Sequence, residues 1–495
     1  MKRRAFCAAG VSAAALSFLP LPFLPLRRAF AADLPALTRD GEETVVRASD
    51  VEDLRAALRG QLLLPGQDGY DEARRIWNGA FDRRPALIAR CAGAADVMRA
   101  IDFARAHDLL VAVRGGGHSL SGQSVCDGGL MIDLSRMRGI RVDPAARRAR
   151  AEPGVLLGEL DRETQAFGLA TPAGTVSHTG IAGLTLGGGF GRIGRKYGLT
   201  CDNLVAADVV TADGRLVHAS EDENPDLLWG LRGGGGNFGI VTSFEYRLHP
   251  VDPIMYGGPI FYPVAAASQV LKFFADFALE APDEMYGDAA LTTAPNGERM
   301  LAIETCYCGP LADAERHIEP LRRVAKPIRD LAAPTPYVKL QSSLDETYHH
   351  GIKAYERSGF LRRIEPTLVD EVIDHLAASR LPTVQVLFVH HGGAIARVRP
   401  DATAFWHRDA QHSMMIQGHW EDPAQGEAVM AWARSTWAAL ESRTNGFYVN
   451  TIAEDDPERR VRGTYGDNYP RLVALKNAYD PTNLFRRNAN IEPSA

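Results

Sequence analysis

The stretch VAVRGGGHSLSGQ, residues 111–123, places three consecutive glycines between Arg114 and His118. Glycine loses more conformational entropy on folding than any other residue and favours neither helix nor strand, so such a run has a structural reason. The apolar residues just before it are typical of a strand. The segment therefore predicts a strand that ends in a loop, where bare main chain approaches a ligand closely and a histidine stands beside it.

Two more glycine-rich segments follow, GIAGLTLGGGFGRIGRKYG at 180–198 and RGGGGNFGIVT at 232–242. Main-chain N–H groups in such loops form concave nests that bind anions, especially phosphates. The GGGFG run alone is a weak dinucleotide signal, because no clear strand precedes it and no acidic residue follows about twenty positions later. A single cluster is more often a tight turn. Three clusters together predict one large anionic ligand that touches all three loops.

The pattern of apolar residues divides the chain at about residue 250. Before it, PALIARC, AADVMRAIDFARAHD and LLVAVRGGG predict strand, helix and strand, which favours an α+β layout with a mixed sheet. After it, helices such as AASQVLKFFADFALEAP alternate with strands such as RMLAIETCYCG and PTVQVLFVHHGG, which favours an antiparallel sheet covered by helices. We predict domains over 32–250 and 251–445, and a C-terminal segment, 446–495, that returns to the first domain.

Composition limits the classes of partner. The 495 residues carry 55 basic and 61 acidic side chains, a formal net charge of −6. Without a basic excess or a long charge run, no nucleic-acid partner is expected. The cysteines beyond residue 31 are too few and too scattered for a disulfide framework or a metal site: Cys91, Cys126, Cys201, Cys306 and Cys308.

The N-terminus has the order of a signal peptide. Basic residues at 2–4 precede an apolar run, and Ala29-Phe30-Ala31 ends it as a small-residue cleavage site. The Arg3-Arg4 pair resembles a bacterial twin-arginine signal. A membrane anchor is the alternative, but several prolines and a second arginine pair interrupt the apolar run. We predict a signal over 1–31, a periplasmic or secreted protein, and no stable membrane insertion of the mature chain.

The segments VRGGGHSLSG, TVSHTGIAGLTLGGGFGRIGRKYGLTCDNL, RGGGGNFGIVTSFEYRLHP and YGDNYPRL…YDPTNLFRRNANI resemble the berberine bridge enzyme-like FAD-linked oxidases of the vanillyl-alcohol oxidase superfamily. The resemblance implies an α+β fold: a two-part FAD-binding domain of the PCMH type, about 82–250, plus a substrate domain with an antiparallel sheet covered by helices. It implies that His118 carries FAD on its 8α-methyl. Relatives often add a cysteinyl link, but Val176 occupies that position, so a single covalent link is expected.

The matching motifs assign further FAD contacts to this sequence. By resemblance the first two glycine loops and the C-terminal motif bind the pyrophosphate and the ring system of FAD, and the third loop lies against its adenine side. The expected residues are Arg114, Gly115, Gly116, Gly117, His118, Ser119, Gly122, Thr179, Gly180, Gly183, Gly188, Gly189, Gly191, Gly239, Val241, Tyr465, Asn468, Asn488 and Asn490.

The sequence identifies the catalytic residues less clearly than the FAD contacts. Oxidation of an alcohol requires a base for the hydroxyl proton while a hydride passes to the flavin. The glutamate of plant relatives aligns with Arg397, so that base is absent here. The remaining candidates are Tyr448, Tyr465 and His391, and each has the alternative of a purely structural role.

The expected activity is oxidation of a small-molecule alcohol or C–H donor, such as a sugar, a phenol or a polycyclic alcohol. O2 or another electron acceptor then takes the electrons. A dehydrogenase of the same fold and a flavin-binding protein without turnover are the alternatives. The substrate pocket is expected to contain aromatic and histidine side chains from the second domain: His349, His350, Tyr355, Trp406 and His407.

Overall fold

A computed structural model describes residues 32–294, 297–452 and 456–494. Its first elements are β1 (Leu34–Leu37), β2 (Glu43–Val46), α1 (Ala48–Ala57), β3 (Gln61–Leu63), α2 (Tyr70–Ala73), β4 (Leu87–Arg90), α3 (Ala94–Ala106), β5 (Val111–Arg114) and β6 (Leu130–Asp133). A mixed sheet has the order β3-β4-β6-β5, with β4, β6 and β5 parallel and β3 antiparallel. The predicted strand, helix and strand are confirmed as β4, α3 and β5. The first glycine loop, 115–119, therefore starts at the carboxyl end of a sheet strand.

The next part contains the other two glycine loops. Its elements are β7 (Ile140–Asp143), β8 (Arg148–Ala151), α4 (Leu157–Gln165), β9 (Leu169–Ala170), α5 (Ile181–Leu186), α6 (Gly194–Tyr197), β10 (Leu204–Val210), β11 (Leu216–Ser220), α7 (Pro225–Leu231), β12 (Ile240–Arg247) and β13 (His249–Pro250). The strands β11-β10-β12-β8-β7 form an antiparallel sheet in that order. The second glycine loop, 179–191, includes α5, and the third, 233–239, joins α7 to β12.

The large sheet follows. Its part of the chain contains β14 (Ile254–Pro263), α8 (Ala267–Glu280), β15 (Met285–Thr293), β16 (Arg299–Tyr307), α9 (Ala314–Val324), β17 (Arg329–Asp330), β18 (Ala333–Pro336), α10 (Tyr337–Gln341), β19 (Lys353–Leu361), α11 (Pro366–Ala378), β20 (Val384–His390), α12 (Ala394–Arg397), β21 (His412–Trp420) and α13 (Gly426–Leu440). The strands pair antiparallel in the order β17-β14-β16-β15-β20-β21-β19, and β18 also pairs with β14. Helices α8, α11 and α13 pack on its strands. The expected antiparallel sheet covered by helices is confirmed.

The C-terminal segment packs against the third glycine loop. It contains α14 (Glu458–Tyr465) and α15 (Tyr469–Tyr479). Asn237 donates from Nδ2 to the carbonyl of Ala489 and accepts from the N–H of Ile491 at 3.0 Å. These bonds fix the end of the described chain beside the third glycine loop. The domain boundaries proposed near residues 250 and 445 stay predictions.

A single hydrophobic cluster joins the glycine-loop part to the large sheet. It contains Phe244 of β12, Phe274 of α8 and Phe388 of β20, each buried. A shared core fixes the sheet relative to the loops, so that both can form one site. Among the helices in the described ranges, none is both long and apolar enough to span a bilayer. The predicted signal, 1–31, lies outside the described residues.

Candidate active site

A cavity of about 480 Å³ lies between the glycine loops and the large sheet. The three loops provide Gly115, Gly116, Gly117, His118, Ser119, Thr179, Gly180, Gly183, Gly235, Gly236 and Gly239. The sheet provides Tyr286, Asp288, Glu356, Leu387, Val389, Met415 and Gln417. One wall is thus mostly bare main chain, and the opposite wall is built of side chains.

The glycine loops hold one another in place through their backbones. A Cβ on Gly180 would lie 2.6 Å from the Cα of Gly116, so neither position has room for a side chain. The third loop joins the second through the N–H of Gly235, which donates to the carbonyl of Leu186 at 2.9 Å. The loops therefore form one continuous surface of main chain, as the clustering of glycines predicts.

The structure brings many of the predicted FAD contacts to this cavity. Those that line it are Gly115, Gly116, Gly117, His118, Ser119, Thr179, Gly180, Gly183, Gly239, Val241 and Asn488. Asn488 also donates from Nδ2 to the carbonyl of Gly236 at 3.1 Å, which ties the C-terminal motif to the third loop.

Other predicted contacts stand behind the cavity wall. These are Arg114, Gly122, Gly188, Gly189, Gly191, Tyr465, Asn468 and Asn490. Arg114 donates to the carbonyl of Ala73, and Gly122 lies against the ring of Phe81. Such residues shape the loops from outside.

Two residues of the C-terminal motif show this supporting role most clearly. The Tyr465 hydroxyl donates towards the carbonyls of Gly234 and Ala489 at 3.2 and 3.3 Å. Asn468 donates from Nδ2 to the carbonyls of Pro400 and Thr403 at 2.8 and 3.0 Å. Both side chains therefore fix the backbone around the third loop.

His118 sits at the junction of the loops with its ring stacked on Trp77, the centroids 4.4 Å apart. The centroid of the His178 ring lies 5.1 Å from that of the His118 ring. Burial, aided by the nearby His178 and His350, lowers the pKa of His118 to about 3. Its Nε2 is buried without a hydrogen-bond partner in the described part of the chain. A neutral imidazole with an unused nitrogen is a competent nucleophile.

A row of polar side chains crosses four strands of the large sheet. Gln385 of β20 and Glu356 of β19 both stand directly opposite Gln417 of β21. Thr292 of β15 donates to Gln385 Oε1 at 3.0 Å, and Gln385 Nε2 donates to Gln417 Oε1 at 2.7 Å. Gln417 Nε2 in turn donates to Glu356 Oε2. The row therefore ends at a carboxyl group in the cavity.

The two buried carboxyl groups of the cavity, those of Glu356 and Asp288, differ in the number of hydrogen bonds that they accept. Glu356 Oε1 is buried and has no hydrogen-bond partner within the described ranges. Asp288 accepts from the N–H of His390 at 3.0 Å and from the Tyr286 hydroxyl. Burial raises the pKa of both carboxyl groups to about 7. Glu356 is thus the carboxyl with an oxygen left for a ligand.

Of the predicted catalytic candidates Tyr448 and His391, only Tyr448 lines the cavity. Tyr448 lines the cavity, but its hydroxyl accepts from the N–H of Gly189 at 3.3 Å and from Asn450 Nδ2 at 2.9 Å, and burial raises its pKa. His391 does not line the cavity: its Nε2 lies 3.1 Å from Ser413 Oγ, and its ring packs on Phe190. Burial lowers the pKa of His391 to about 3, so it is neutral.

The aromatic and histidine side chains expected in the substrate pocket do not line this cavity. They are His349, His350, Tyr355, Trp406 and His407. His349 and His350 are exposed, and Tyr355 lies beneath the guanidinium of Arg434. The ring of His407 contacts the carbonyl of Gly463 through Nε2 at 2.8 Å. Strand register decides which side chains of this region face the cavity, and the sequence alone does not reveal it. The Trp, Tyr and Phe residues that line the cavity are instead Trp77, Phe190, Tyr286, Tyr348, Tyr448 and Phe485.

Sequence reasoning missed the polar row and its carboxyl. Apolar and polar residues alternate only weakly in the two segments that form β19 and β21, IKAYERSGF and QHSMMIQGHW. The pattern therefore does not predict which side chains face a ligand. The burial of Glu356 becomes visible only in the structure, where it marks a role because an acidic residue is rarely buried without a partner or a function. Arg397, at the position of the plant glutamate, is paired with Asp283 outside the cavity.

Comparison with known proteins gives two family matches. A model described as FAD binding domain matches residues 85–220, and one described as berberine and berberine-like matches residues 447–492. These two regions contain the first two glycine loops and the C-terminal motif.

Whole-length relatives agree with these matches. A FAD-linked oxidoreductase of Dictyostelium discoideum is 32% identical over 448 residues, 90% of this chain and 97% of the relative. (R)-6-hydroxynicotine oxidase of Paenarthrobacter nicotinovorans is 32% identical over 454 residues, 88% of this chain and 97% of its own.

Solved structures show the same fold. 6-Hydroxy-D-nicotine oxidase from Arthrobacter nicotinovorans superposes with a TM-score of 0.82 at 32% identity, over 88% of this chain and 98% of that one. A carbohydrate oxidase from Microdochium nivale superposes with a TM-score of 0.80 at 25% identity, over 90% of this chain and 100% of that one.

Proposed function

The chain belongs to the berberine-like family of FAD-linked oxidoreductases, and on this premise we propose that it oxidises a small organic donor in the cavity described above. The observation that carries the proposal is the cavity's two-sided construction. Bare glycine loops bound it on one side, and a sheet with an unpartnered carboxyl bounds it on the other. The first wall suits a flat cofactor with phosphates, and the second suits a donor that gives up a proton.

FAD is the cofactor, and the residues of this chain fit it. The loops exclude side chains where Gly116 and Gly180 meet, which leaves main-chain N–H groups for the pyrophosphate. When bound, FAD accepts a hydride from the donor. We propose that a nitrogen of His118 is bonded to the 8α-methyl of FAD, because its imidazole is neutral, buried and unpartnered at Nε2.

A single covalent link is proposed. Val176 lines the cavity where many members of the family have a cysteine. The cysteines of the described chain are all free, and Cys201 is fully buried away from the cavity lining. The histidyl link alone therefore retains the cofactor in this protein.

The sheet wall suits a donor with an apolar flank. Leu387, Val389 and Met415 line it beside Glu356 and Gln417. Hydroxyl groups of a sugar facing these apolar side chains would lose their hydrogen bonds to water without replacement. We propose a phenolic, polycyclic or cyclic-amine donor ahead of a sugar. The relatives described above include a nicotine oxidase and a carbohydrate oxidase, so both classes belong in the test.

O2 is the proposed electron acceptor, because these relatives are named oxidases. The test is anaerobic mixing of the purified yellow protein with a panel of defined compounds: 6-hydroxynicotine, cellobiose, xylobiose, chitobiose and benzylic alcohols. We expect at least one compound to bleach the flavin absorbance, and we expect air to restore the colour with formation of peroxide. Bleaching that only a dye acceptor reverses indicates a dehydrogenase. A flavin that no compound bleaches contradicts turnover and indicates a binding protein.

Export to the periplasm or beyond is proposed from residues 1–31, whose basic start, apolar run and Arg3-Arg4 pair resemble a twin-arginine signal. Cell fractionation of the full chain against an Arg3→Lys, Arg4→Lys variant tests it. The wild type is expected outside the cytoplasm as a shortened chain, and the variant inside at full length. Equal distribution of both contradicts the proposal.

A further inference from the structure

Glu356 lines the cavity, and its carboxyl group has one oxygen fixed by a hydrogen bond and the other without a partner in the described part of the chain. Its Oε1 is buried without a partner within the described ranges, while its Oε2 accepts from Gln417 Nε2. We propose that Glu356 is the catalytic base, accepting at Oε1 the proton of the donor's O–H or N–H group. The inference rests on the proposed function and adds the residue that manages its proton.

The orientation of the carboxyl follows from the row of amides behind it. Gln385 Nε2 donates to Gln417 Oε1 at 2.7 Å, so the amide oxygen of Gln417 faces β20 and its nitrogen faces Glu356. The Tyr348 hydroxyl also lies 3.3 Å from Gln417 Oε1 and accepts from Gln385 Nε2 at 3.1 Å. Each of these groups is used within the row, and Glu356 Oε1 is the atom of the row's carboxyl that has no partner within the described ranges.

The other carboxyl group of the cavity and the hydroxyl of Tyr448 are already engaged in hydrogen bonds. Both oxygens of Asp288 accept hydrogen bonds, from the N–H of His390 and from the Tyr286 hydroxyl. The Tyr448 hydroxyl accepts two hydrogen bonds from Gly189 and Asn450. A proton acceptor needs a free lone pair within reach of its substrate, and Glu356 has one.

The groups around Glu356 set the pH at which it works. The titratable groups that line the same cavity are His118, Tyr286, Asp288, Tyr348, Tyr448 and Arg487, and of these Tyr348 and Tyr448 interact electrostatically with Glu356. Arg357, the next residue of β19, lies instead over the ring of Tyr355 and pairs with Asp456. Burial raises the pKa of Glu356 to about 7, and the hydrogen bond from Gln417 opposes that rise. The carboxyl therefore changes charge near neutral pH, where a general base is most effective.

The proposed step balances without any further reactant. The donor's C–H bond breaks and its electron pair leaves as hydride to bound FAD. The adjacent O–H or N–H bond breaks, its proton passes to Glu356 Oε1, and its electron pair forms the new C=O or C=N bond. The donor is oxidised by two electrons, FAD is reduced by two, and the proton on Glu356 later returns to solvent.

The test compares anaerobic flavin reduction in wild type, Glu356→Gln and Asp288→Asn between pH 5 and 9, with the panel compound that bleaches the wild type. The wild-type rate constant should rise with pH to about 7 and then level, because only the ionised carboxyl accepts a proton. Glu356→Gln should slow reduction about 100-fold or more and lose this pH dependence. Asp288→Asn should keep the pH dependence, and Glu356→Asp should recover part of the rate.

Equal flavin absorbance per chain after removal of free flavin shows that all variants bind FAD. Glu356→Gln reducing within about threefold of wild type, or keeping the rise with pH, overturns the proposal. If no compound bleaches the wild type, the proposed function fails by itself, and infrared titration of the yellow protein decides the carboxyl's role. A protonated-carboxyl band that appears below about pH 7 and is weaker in Glu356→Gln than in the wild type supports Glu356 as a proton acceptor, and Asp288→Asn identifies the part of the band that Asp288 contributes. A band of equal strength in the wild type and Glu356→Gln at every pH overturns it.

Discussion

Gln417 stands directly opposite Glu356 on the neighbouring strand, and its amide nitrogen donates to one carboxylate oxygen while the other oxygen has no partner within the described ranges. The strand register places these side chains on the same face of the sheet. Gln385 is opposite Gln417 on the next strand and fixes the direction of its amide. A neutral amide thus orients a buried base without neutralising it with a cation.

Replacing Gln417 tests this orienting role. A hydrogen bond to the ionised carboxylate favours ionisation, so Gln417→Leu should raise the pKa of Glu356 further. The rise of flavin-reduction rate with pH should therefore move to higher pH, with a smaller loss at pH 9 than at pH 7. The measurement is the pH profile of anaerobic reduction. A uniform loss at every pH contradicts the role and indicates altered donor binding alone.

Replacing Tyr448 should affect flavin reduction much less than replacing Glu356. The Tyr448 hydroxyl is held by Gly189 and Asn450, and burial raises its pKa, which disfavours a phenolate at neutral pH. Tyr448→Phe should therefore slow flavin reduction less than about tenfold and keep the wild-type pH dependence. Stopped-flow reduction beside Glu356→Gln makes the comparison. A loss for Tyr448→Phe as large as that for Glu356→Gln would assign the proton to the tyrosine instead.

The buried carboxyl should also affect stability. In the unfolded chain Glu356 ionises near its ordinary value of 4.5, and in the folded chain its pKa is about 7. The fold therefore favours the protonated form, and the wild type loses stability as pH rises from about 4.5 to 7. Glu356→Gln removes this loss, so it should exceed the wild type by about 3 kcal/mol at pH 8 and by far less at pH 5. Urea unfolding at both pH values measures the difference; an advantage that does not grow with pH contradicts the burial argument.

Two glycine variants distinguish a loss of stability in the loops from a loss of FAD binding. Gly116→Ala forces a Cβ against Gly180 and should destabilise the protein by about 1–3 kcal/mol and lower its FAD content. Gly183 lines the cavity inside α5, where a Cβ meets no atom within 4 Å. Gly183→Ala should therefore keep the unfolding temperature of the apoprotein while lowering FAD content. Unfolding curves and flavin absorbance per chain check both, and full FAD content in Gly183→Ala would contradict the loop surface as the cofactor site.

Position 176 allows a gain-of-function prediction. Val176→Cys places a thiol on the cavity wall, where relatives form their second link to the flavin. The thiolate should add to the flavin ring, leaving the ring reduced until air reoxidises it. Flavin should then stay with the denatured His118→Ala, Val176→Cys double variant in air. Loss of all colour from that variant would place residue 176 away from the ring.

The cofactor side of this site could be predicted from the sequence because its requirement is local. A loop that must present bare main chain needs glycines at consecutive positions, and these are visible in 115–117 and 233–236 without a structure. The same reasoning located His118, since it is adjacent to the first loop. The loops are far apart in the sequence, but each is recognisable by its own run of glycines, so no long-range contact had to be predicted.

The donor side could not be predicted in the same way. Glu356, Gln417 and Gln385 come together only through the register of three antiparallel strands, two of which were not predicted. The chosen candidates Tyr465 and His391 carry suitable chemistry, but their hydrogen bonds to Gly234 and Ser413 place them outside the cavity lining. Side-chain direction in a sheet depends on pairing with distant segments, which a single sequence does not reveal.

The most direct test of the account is to find where the flavin is attached. The purified yellow protein is precipitated with acid, digested and analysed by mass spectrometry, with His118→Ala treated in parallel. The account predicts that the wild-type colour stays with the precipitate and that the peptide containing His118 carries the mass of FAD, while the variant releases its flavin. A wild-type precipitate that is colourless, with all flavin free in the supernatant, would contradict it.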